Sequence, residues 1–373
     1  MIDYRLALAD RSSTGLGTVI MPDVLGTVGV PQQNGELLWS EELNEPGDLE
    51  FTIPIDHAAV TRDNFGPGRR EVHLYRNDVL VWGGKIWGYR IRGWYATFEC
   101  HGWWFDMDRR IMNADYSGFD LDQFTIVRAV VDYTQALADG NLGITHFDSS
   151  LSGVTRRLIV CIEEQRSISD IVGDLSEGDD GFDFAVSPDK VLRLWSPRRG
   201  SAVTAMFGDE NLSTFEYDED ATDLVNSVTA IGPPDEADEL EDETNDCVLP
   251  IIYQASDPAV RAIYGRLEGT LSTDSDWDTA HREAKAEEEL RTSKKPRFQP
   301  TVFLATDLQE VSAPDDVSYE DVGIGDIISV DVNRGPAGTL GNFIQEFRVV
   351  KRSVQVTRPG MEVIRYGLDQ VID

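Results

Sequence analysis

The alternation of apolar and polar positions predicts β-strands over most of the first hundred residues. Residues 49–53, LEFTI, alternate strictly between the two classes, as a strand does when one face is buried and the other is wet. The segment NEPG just before them predicts a turn. In this turn Pro46 presets φ at the second position and Gly47 accepts a positive φ at the third.

A three-stranded antiparallel meander is predicted for residues 71–104. Its strands read EVHLY, VLVWGGKIWGYRI and WYATFECHGWW, and short turns separate them. Gly83 and Gly84 lie inside the longest strand, where paired glycines usually mark a bulge or a barrel corner. The pattern therefore predicts a strongly curved antiparallel sheet that belongs to a small barrel.

Residues 111–204 are predicted to form an α+β insert, because the hydrophobic period becomes helical there. Apolar residues between 122 and 139 follow helical spacing. Ser167 is the predicted N-cap of a second helix, and Gly178 is its predicted end. A hairpin with its turn at residues 188–190 follows.

The next segments return to a strand pattern and then become strongly acidic. The strand pattern assigns residues 205–232 to the first β unit. The block PPDEADELEDETND carries one sign of charge and predicts a solvated loop centred on residues 235–246. A segment rich in Ala and Glu, with its positive charge at the C-terminal end, predicts a long helix before Pro296.

These patterns predict an α+β, β-rich fold with two related small antiparallel β-barrel-like domains. The first comprises residues 1–110 and 205–232, and the second comprises residues 300–373. The α+β insert and an acidic loop with the long helix (residues 233–299) complete the chain. The second domain repeats the strand order of the meander with GDIISVDV, FIQEFRVVKRSVQV and MEVIRYGLDQV. Chance similarity among meanders is the alternative explanation.

The charge of the chain argues against a protein that binds nucleic acid or anionic membranes. Acidic residues number 67 and basic residues 33, so the formal net charge is −34. Binding to phosphates requires clustered Lys and Arg, which would neutralise them. High solubility or adaptation to salt explains the acidity equally well.

Every familiar signature of catalysis or metal binding is incomplete. Gly83-Gly84-Lys85 resembles the end of a P-loop, but Val79 stands where the first Gly is required. The aspartates of DSDWD have calcium-loop spacing, yet Thr279 occupies the turn position. We therefore predict no catalytic, cofactor or metal site. A carboxylate pair acting on a glycoside stays open, since its spacing is visible only in three dimensions.

Cysteine use and hydropathy favour a protein folded in the cytoplasm. Cys100, Cys161 and Cys247 are far apart in sequence and indicate neither a disulfide framework nor a zinc site. We expect small core residues, with one exposed thiol as the open alternative. No signal peptide is expected, and no segment approaches the roughly 20 apolar residues of a membrane span.

Several segments, taken in order, resemble the minor tail proteins of actinobacterial siphophages. These proteins belong to the tail-hub family, which includes the central baseplate hub of contractile phages. The resemblance covers nearly the whole chain. It rests on LNEPGDLEFTIPIDH, GRREVHLYRNDVLVWGGKIWGYRI, DDGFDFAV, LRLWSPRRG, VNSVTAIG and AHREAKAEEELRTSKKPRFQPTV.

The resemblance implies a structural protein, without enzyme activity or cofactor, at the tip of the virion tail. It implies a homotrimer, assembled in the host cytoplasm, whose two barrel-like domains per chain form a pseudo-sixfold ring. Such a ring would join the distal tail protein and the tube to the tape measure protein and other tip proteins. DNA would pass through the ring without specific binding, along an acidic wall.

Two irregular segments that flank the predicted barrels are candidates for contacts in the ring. Mobile surface loops are the alternative interpretation of both segments. The candidate residues are Asn44, Glu45, Pro46 and Gly47 in the first segment and Asn333, Arg334 and Gly335 in the second.

A carbohydrate-binding β-rich module at the tail tip, in contact with host glycan, is the alternative function. Stacking on sugar requires aromatic rings exposed on one face. The rings that support this alternative are Trp82, Trp87, Trp94, Trp103 and Trp104.

Overall fold

A computed structural model gives the structure of the chain in twelve segments. They are residues 2–21, 37–162, 165–177, 180–208, 214–220, 224–232, 251–272, 279–294, 297–306, 319–332, 343–358 and 361–371. The acidic block and the loop with Asn333, Arg334 and Gly335 lie outside the described residues.

The first β unit contains seven strands and one short helix. They are β1 (Tyr4–Asp10), β2 (Val19–Met21), β3 (Leu37–Glu42), β4 (Asp48–Pro54), α1 (Arg62–Phe65), β5 (Arg70–Arg76), β6 (Val79–Arg92) and β7 (Tyr95–Gly102). The predicted meander is confirmed, since β5, β6 and β7 pair antiparallel in chain order. Asn77 and Asp78 both have positive φ in the two-residue turn between β5 and β6, as a tight hairpin requires.

The α+β insert follows the first unit and has its own hydrophobic core. Its elements are a 3-10 helix (Trp103–Arg109), β8 (Tyr116–Asp122), α2 (Gln123–Ala136), β9 (Thr145–His146), β10 (Thr155–Val160), α3 (Ile168–Ser176), β11 (Asp183–Val186) and β12 (Val191–Trp195). Ser167 caps α3 as predicted, and its hydroxyl accepts a hydrogen bond from the Asp170 amide at 2.9 Å. The helix ends at Ser176, and Gly178 lies outside the described residues.

The second β unit is assembled from two separated parts of the chain. Its strands are β13 (Ala202–Gly208) and β14 (Thr214–Asp220) and then, after a smaller unit, β18 (Arg297–Thr306), β19 (Ile327–Val332), β20 (Phe343–Arg358) and β21 (Met361–Gln370). The smaller unit consists of β15 (Ser227–Gly232), β16 (Ile251–Ser256), α4 (Pro258–Tyr264), β17 (Glu268–Ser272) and the predicted long helix α5 (Thr279–Ser293).

The strands of residues 205–232 pair differently from the sequence assignment, which places them with the first unit. In the structure β13 pairs with β19 and β14 pairs with β18, both of the second unit. Strand β15 forms a separate sheet with β16 and β17. A strand pattern shows that a segment forms a strand but not which strand it pairs with. The spacing of apolar residues therefore could not identify the partners of β13, β14 and β15. The domain boundaries stay a prediction.

One continuous sheet of 13 strands joins the two β units. Its order is β14-β18-β21-β20-β3-β4-β7-β6-β5-β1-β2, with β19 beside β20 and β13 beside β19. The α+β, β-rich fold class is confirmed. The second unit has the order β13-β19-β20-β21-β18-β14, which repeats the order β1-β5-β6-β7-β4-β3 of the first, strand for strand. One orientation differs, since β1 is antiparallel to β5 and β13 is parallel to β19.

The two units also share one hydrophobic core. The largest fully buried side chains of this core come from both ends of the chain: Trp39, Phe51, Phe98, Phe347 and Tyr366. Each such side chain stabilises the fold by roughly 1.5–3 kcal/mol relative to an exposed one. The units therefore cannot separate without exposing the core.

Gly83 and Gly84 do not mark a bulge, contrary to the prediction. The register of β6 shifts at Val81 and at Trp87 instead. A Cβ on Gly83 would lie 2.4 Å from the Pro188 carbonyl oxygen, and a Cβ on Gly84 would lie 2.2 Å from another backbone oxygen. Both glycines are required because the backbone of another segment approaches too closely for a side chain.

A buried ion pair fixes the hairpin of the insert to the first β unit. The Lys190 Nζ lies 2.6 Å from the Glu71 Oε1, and both side chains are buried. Burial opposes the ionised form of Glu71, but the adjacent His73 ring and hydrogen bonds from Lys190 and the amides of Ser12 and Gly17 outweigh it and lower its pKa to about 2. The carboxylate therefore stays charged inside the protein.

A second ion pair fixes the first strand of the hairpin, β11, to the second β unit. The guanidinium of Arg348 on β20 contacts the fully buried carboxylate of Asp183 on β11. The same carboxylate accepts a hydrogen bond from the Arg199 amide. The hairpin of the insert is thus held by a charged contact to each unit.

Removal of the cation from the first of these pairs should destabilise the protein strongly. We expect Lys190→Met to lower the free energy of unfolding by about 3–5 kcal/mol, because the Glu71 carboxylate is left charged and buried. Urea unfolding followed by tryptophan fluorescence measures the loss. Lys294→Met is the matched control, since its pair with Asp257 is partly exposed, and it should cost less than about 1 kcal/mol. Equal losses in the two variants would contradict the assigned role of Lys190.

The lowered pKa of Glu71 also predicts an acid-sensitive contribution to stability. The ordinary value is 4.5 and the folded value about 2, so the contribution is complete above about pH 5 and disappears as the pH falls towards 2. It amounts to about 3 kcal/mol. The difference in unfolding free energy between the wild type and Glu71→Gln should therefore shrink between pH 6 and pH 2. A difference that does not change with pH would show that Glu71 is not held ionised.

Candidate assembly surface

The junction between the two β units is a strand pair that the sequence did not reveal. Residues 351–356 of β20 pair antiparallel with residues 37–42 of β3. Val354 lies opposite Trp39, and both are fully buried. The junction therefore has an apolar centre.

Charged pairs complete one end of this junction. The Lys351 Nζ lies 2.6 Å from the Glu42 Oε2, and the guanidinium of Arg352 contacts Glu41. Burial opposes the charge of Arg352, yet the neighbouring Glu41 carboxylate raises the pKa of the guanidinium above its ordinary value. The strand LLWSEE thus presents apolar positions first and acids last, and β20 presents the complementary cations.

Strand β6 of the first unit is built like strand β20 of the second. Each has an extra residue partway along its pairing with the next strand of the meander, Trp87 in β6 and Val350 in β20, and β20 has a second one near its end, at Thr357. Ile86 and Val349 precede the bulges at Trp87 and Val350. Residues 88–92 of β6 therefore correspond to residues 351–355 of β20, which lie in the junction.

A glycine turn before each unit's central strands makes the same hydrogen bond in both units, which supports the correspondence of β6 with β20. The Gly68 amide donates to the Ile86 carbonyl, and the Gly325 amide donates to the Val349 carbonyl, both at 2.7 Å. Gly68 and Gly325 both have positive φ, +72° and +91°. The turns read GPGR and GIGD, and in each the fourth amide donates to the first carbonyl. The internal repeat is thus present in local geometry as well as in strand order.

One edge of β6 is open where the corresponding edge of β20 is covered. Strand β7 pairs with residues 88–92 on one side, and within the described residues no strand pairs with them on the other. We call residues 88–92 the open edge. Ile91 is 58% exposed and Tyr89 52%, whereas Val354, the counterpart of Ile91, is fully buried. Trp94, in the turn that follows, is 78% exposed.

Strand β14 at the end of the sheet is the counterpart of β3. Across the first unit, Leu38 pairs with Glu50 and Glu50 with Glu99. Across the second, Glu216 pairs with Thr301 and Thr301 with Gly367, which is the counterpart of Glu99. Residues 215–220 (FEYDED) therefore occupy the register of residues 37–42 (LLWSEE). Among the strands described, β14 pairs only with β18.

Three solved structures share this architecture over nearly their whole length. They are a tail protein from Neisseria meningitidis (TM-score 0.60, 11% identity, 98% of this chain and 96% of that one), the 43 kDa tail protein of prophage MuSo2 from Shewanella oneidensis (0.58, 11%, 99% and 98%) and the prophage tail protein gp18 from Listeria monocytogenes (0.58, 11%, 98% and 94%). The chain therefore has the phage tail-protein fold. No family model and no curated protein sequence matches it.

The first predicted contact segment, residues 44–47, makes contacts with other parts of the same chain. The Asn44 side-chain oxygen accepts a hydrogen bond from the Phe184 amide at 2.8 Å, and Asn44, rather than Gly47, has the positive φ of the turn. A Cβ on Gly47 would lie 2.1 Å from the Ser40 carbonyl oxygen. Asn44 thus holds the first unit to the insert, and Gly47 allows a close backbone approach within the first unit. A role of Asn44, Glu45, Pro46 and Gly47 in ring contacts stays a prediction.

The tryptophans of the meander do not form an exposed platform. Trp82, Trp103 and Trp104 are buried and Trp87 is half-buried, so only Trp94 of the five is fully exposed. Stacking on sugar through several of these rings on one face is therefore not possible in this structure.

The other candidate chemistry gives no site among the residues described. No cluster of three or more His, Cys, Asp and Glu side chains could hold a metal there. Cys100 is buried, as expected, but Cys161 is exposed and so is not a core residue. Cys247 lies outside the described residues.

None of the helices in the described part of the chain is long and apolar enough to span a membrane.

The paired glycine turns predict unequal costs at two corresponding positions. Gly68→Ala should lower the free energy of unfolding by about 1–2 kcal/mol, since a positive φ strains the new residue but nothing lies near its Cβ. Gly325→Ala should cost more, at least about 3 kcal/mol, because its Cβ would also lie 2.6 Å from the Arg199 carbonyl oxygen. Chemical denaturation measures both.

Gly173→Ala is the matched control for these two variants. Gly173 lies inside helix α3 with open space around its Cβ position, so Ala should be neutral or stabilise the protein by about 0.5–1 kcal/mol. A smaller loss at Gly325 than at Gly68 would contradict the close backbone contact assigned to the second turn.

Proposed function

We propose that the chain is a structural hub protein of a siphophage tail tip, which acts as a homotrimer and adapts sixfold to threefold symmetry. One observation carries the proposal: a single chain contains the same six-strand arrangement twice, joined edge to edge. Three copies of such a chain supply six similar units. A threefold assembly can then present a nearly sixfold surface to a sixfold tail.

The fold similarity supports this proposal. Two of the three similar structures are described as prophage tail proteins and the third as a tail protein. Each matches the chain along nearly its whole length, so the likeness includes the insert and the smaller unit as well as the doubled sheet. A tail component whose central part is a doubled β unit is well suited to ring formation.

We further propose that the ring lies between the distal tail protein and the tip, next to the tape measure protein. The doubled sheet would form the ring wall, and the insert and the unit around α5 would reach towards the other tip proteins. The net charge of −34 would keep DNA from binding to the wall as it passes through, because a negative surface repels the phosphate backbone. Protein–protein contacts are the function in this proposal, and no catalysis is involved.

Carbohydrate binding is the weaker proposal. It would rely on Trp94 together with Tyr89 and Tyr95, which are the exposed rings near the end of the β6–β7 hairpin. The same rings lie beside the open edge, where a neighbouring protomer would cover at least part of them. Assembly therefore explains their exposure without a ligand.

The proposal predicts a closed trimer in solution. Mass photometry of the purified chain should give a species of about three times 41.6 kDa, and electron microscopy of that species should show a ring with six similar units in its wall. Acidic side chains should face the central channel. A chain that stays monomeric up to tens of micromolar, or a closed dimer, would overturn the proposed hub.

A further inference from the structure

We propose that β14 of one protomer adds to the open edge of β6 in the next protomer, so that a second copy of this chain is its partner. The inference rests on the proposed trimer and specifies how the trimer is held together. In one chain, β3 covers β20. By the internal repeat, β14 is the counterpart of β3 and the open edge is the counterpart of the covered part of β20. The same pairing can therefore occur a second time, between chains.

The two edges do not pair within one chain, among the strands described. Strand β14 is seven strands away from β6 in the sheet, which is on the order of 30 Å along it. A contact between one end of a protomer and a different part of the next is head-to-tail, and it closes into a ring when the rotation per step divides a full turn. Alternation of the internal junction with this contact would give six equivalent joints.

The register of the contact follows from the junction. Since Val354 lies opposite Trp39, its counterpart Ile91 should lie opposite Tyr217. The neighbouring positions place two arginines opposite two acids: Arg90 opposite Asp218 and Arg92 opposite Glu216.

The charges of the two edges are complementary. The segment FEYDED of β14 carries four acids in six residues, and the open edge carries two arginines in five. The junction also pairs cations of one edge with acids of the other, although at different positions of the register, with Lys351 on Glu42 and Arg352 on Glu41. Charge pairing across a strand edge fixes register and suppresses wrong partners.

The apolar side chains indicate the same partner. Ile91 is 58% exposed, although its counterpart Val354 is fully buried against β3. An unpaired strand edge with exposed apolar side chains is a template for the addition of another strand. Both features of the open edge, unpaired backbone and exposed apolar surface, would be removed by β14 of a second copy.

Charge reversal at one position pair tests the contact. Arg92→Glu and Glu216→Arg should each raise the concentration of half-assembly at least about tenfold, because each places like charges opposite one another. The double variant Arg92→Glu with Glu216→Arg should restore assembly to within about threefold of the wild type. Arg62→Glu, an equal charge change on exposed helix α1, is the control and should leave assembly unchanged.

The outcomes separate this contact from the proposed function. If the wild type forms trimers but neither single reversal weakens them, or the double variant does not recover, the trimer stands and the β14–β6 contact is wrong. If the wild type is monomeric, the proposed trimeric hub and the β14–β6 contact are both wrong. Circular dichroism establishes that each variant is folded before its assembly is compared.

A disulfide cross-link gives a second, independent measurement. In a background of Cys161→Ser and Cys247→Ser, the pair Ile91→Cys with Tyr217→Cys should oxidise to a covalent trimer, because directly opposed strand positions lie within disulfide reach. The control pair Thr61→Cys with Tyr217→Cys should give no covalent oligomer. A trimeric preparation that gives no cross-linked species with the first pair would overturn the contact.

Discussion

Pairing of strand edges is the constraint on which the rest of the structure depends. A sheet edge carries a row of backbone donors and acceptors that must find partners in a strand, a covering segment or water. Here the edge of β3 is satisfied by β20, so that two meanders that could each end in an exposed edge become one sheet. The shared core follows from this pairing, because the strands of both units are held side by side and bury their apolar faces together.

The insert contacts both units of the doubled sheet. Its hairpin reaches both units, through Lys190 to Glu71 and through Asp183 to Arg348. Buried ion pairs contribute little net stability compared with apolar packing, since both charges must lose their water. Their effect is to demand one geometry, because a displaced hairpin would leave charges buried without partners. The angle between the two units is therefore defined by contacts that tolerate little variation.

The sequence predicted the elements well and their partners poorly. The meander, the cap of α3 at Ser167 and the β-rich class follow from alternation, capping and turn chemistry, which act over a few residues. The pairing of β14 with β18 joins residues about eighty positions apart, and no local pattern determines it. The open edge was missed for the same reason, although the similarity of LLWSEE to FEYDED and of GPGR to GIGD was present in the sequence as its signal. Gly83 and Gly84 were misread because a close backbone approach from a distant segment demands glycine just as a bulge does.

The acids of β14 have a second effect, because an unpaired sheet edge can pair with a wrong strand as well as with the right one. An exposed end strand invites pairing with any other strand, and most of all with its own copy, which is always present. If two β14 strands paired with each other, the four acids of one strand would lie close to the four acids of the other. Like charges directly opposite one another are destabilising. An edge with arginines does not meet that repulsion. The acidity at this end of the sheet therefore discourages a symmetric dimer, which would stop at two copies, and leaves the head-to-tail arrangement that a ring requires.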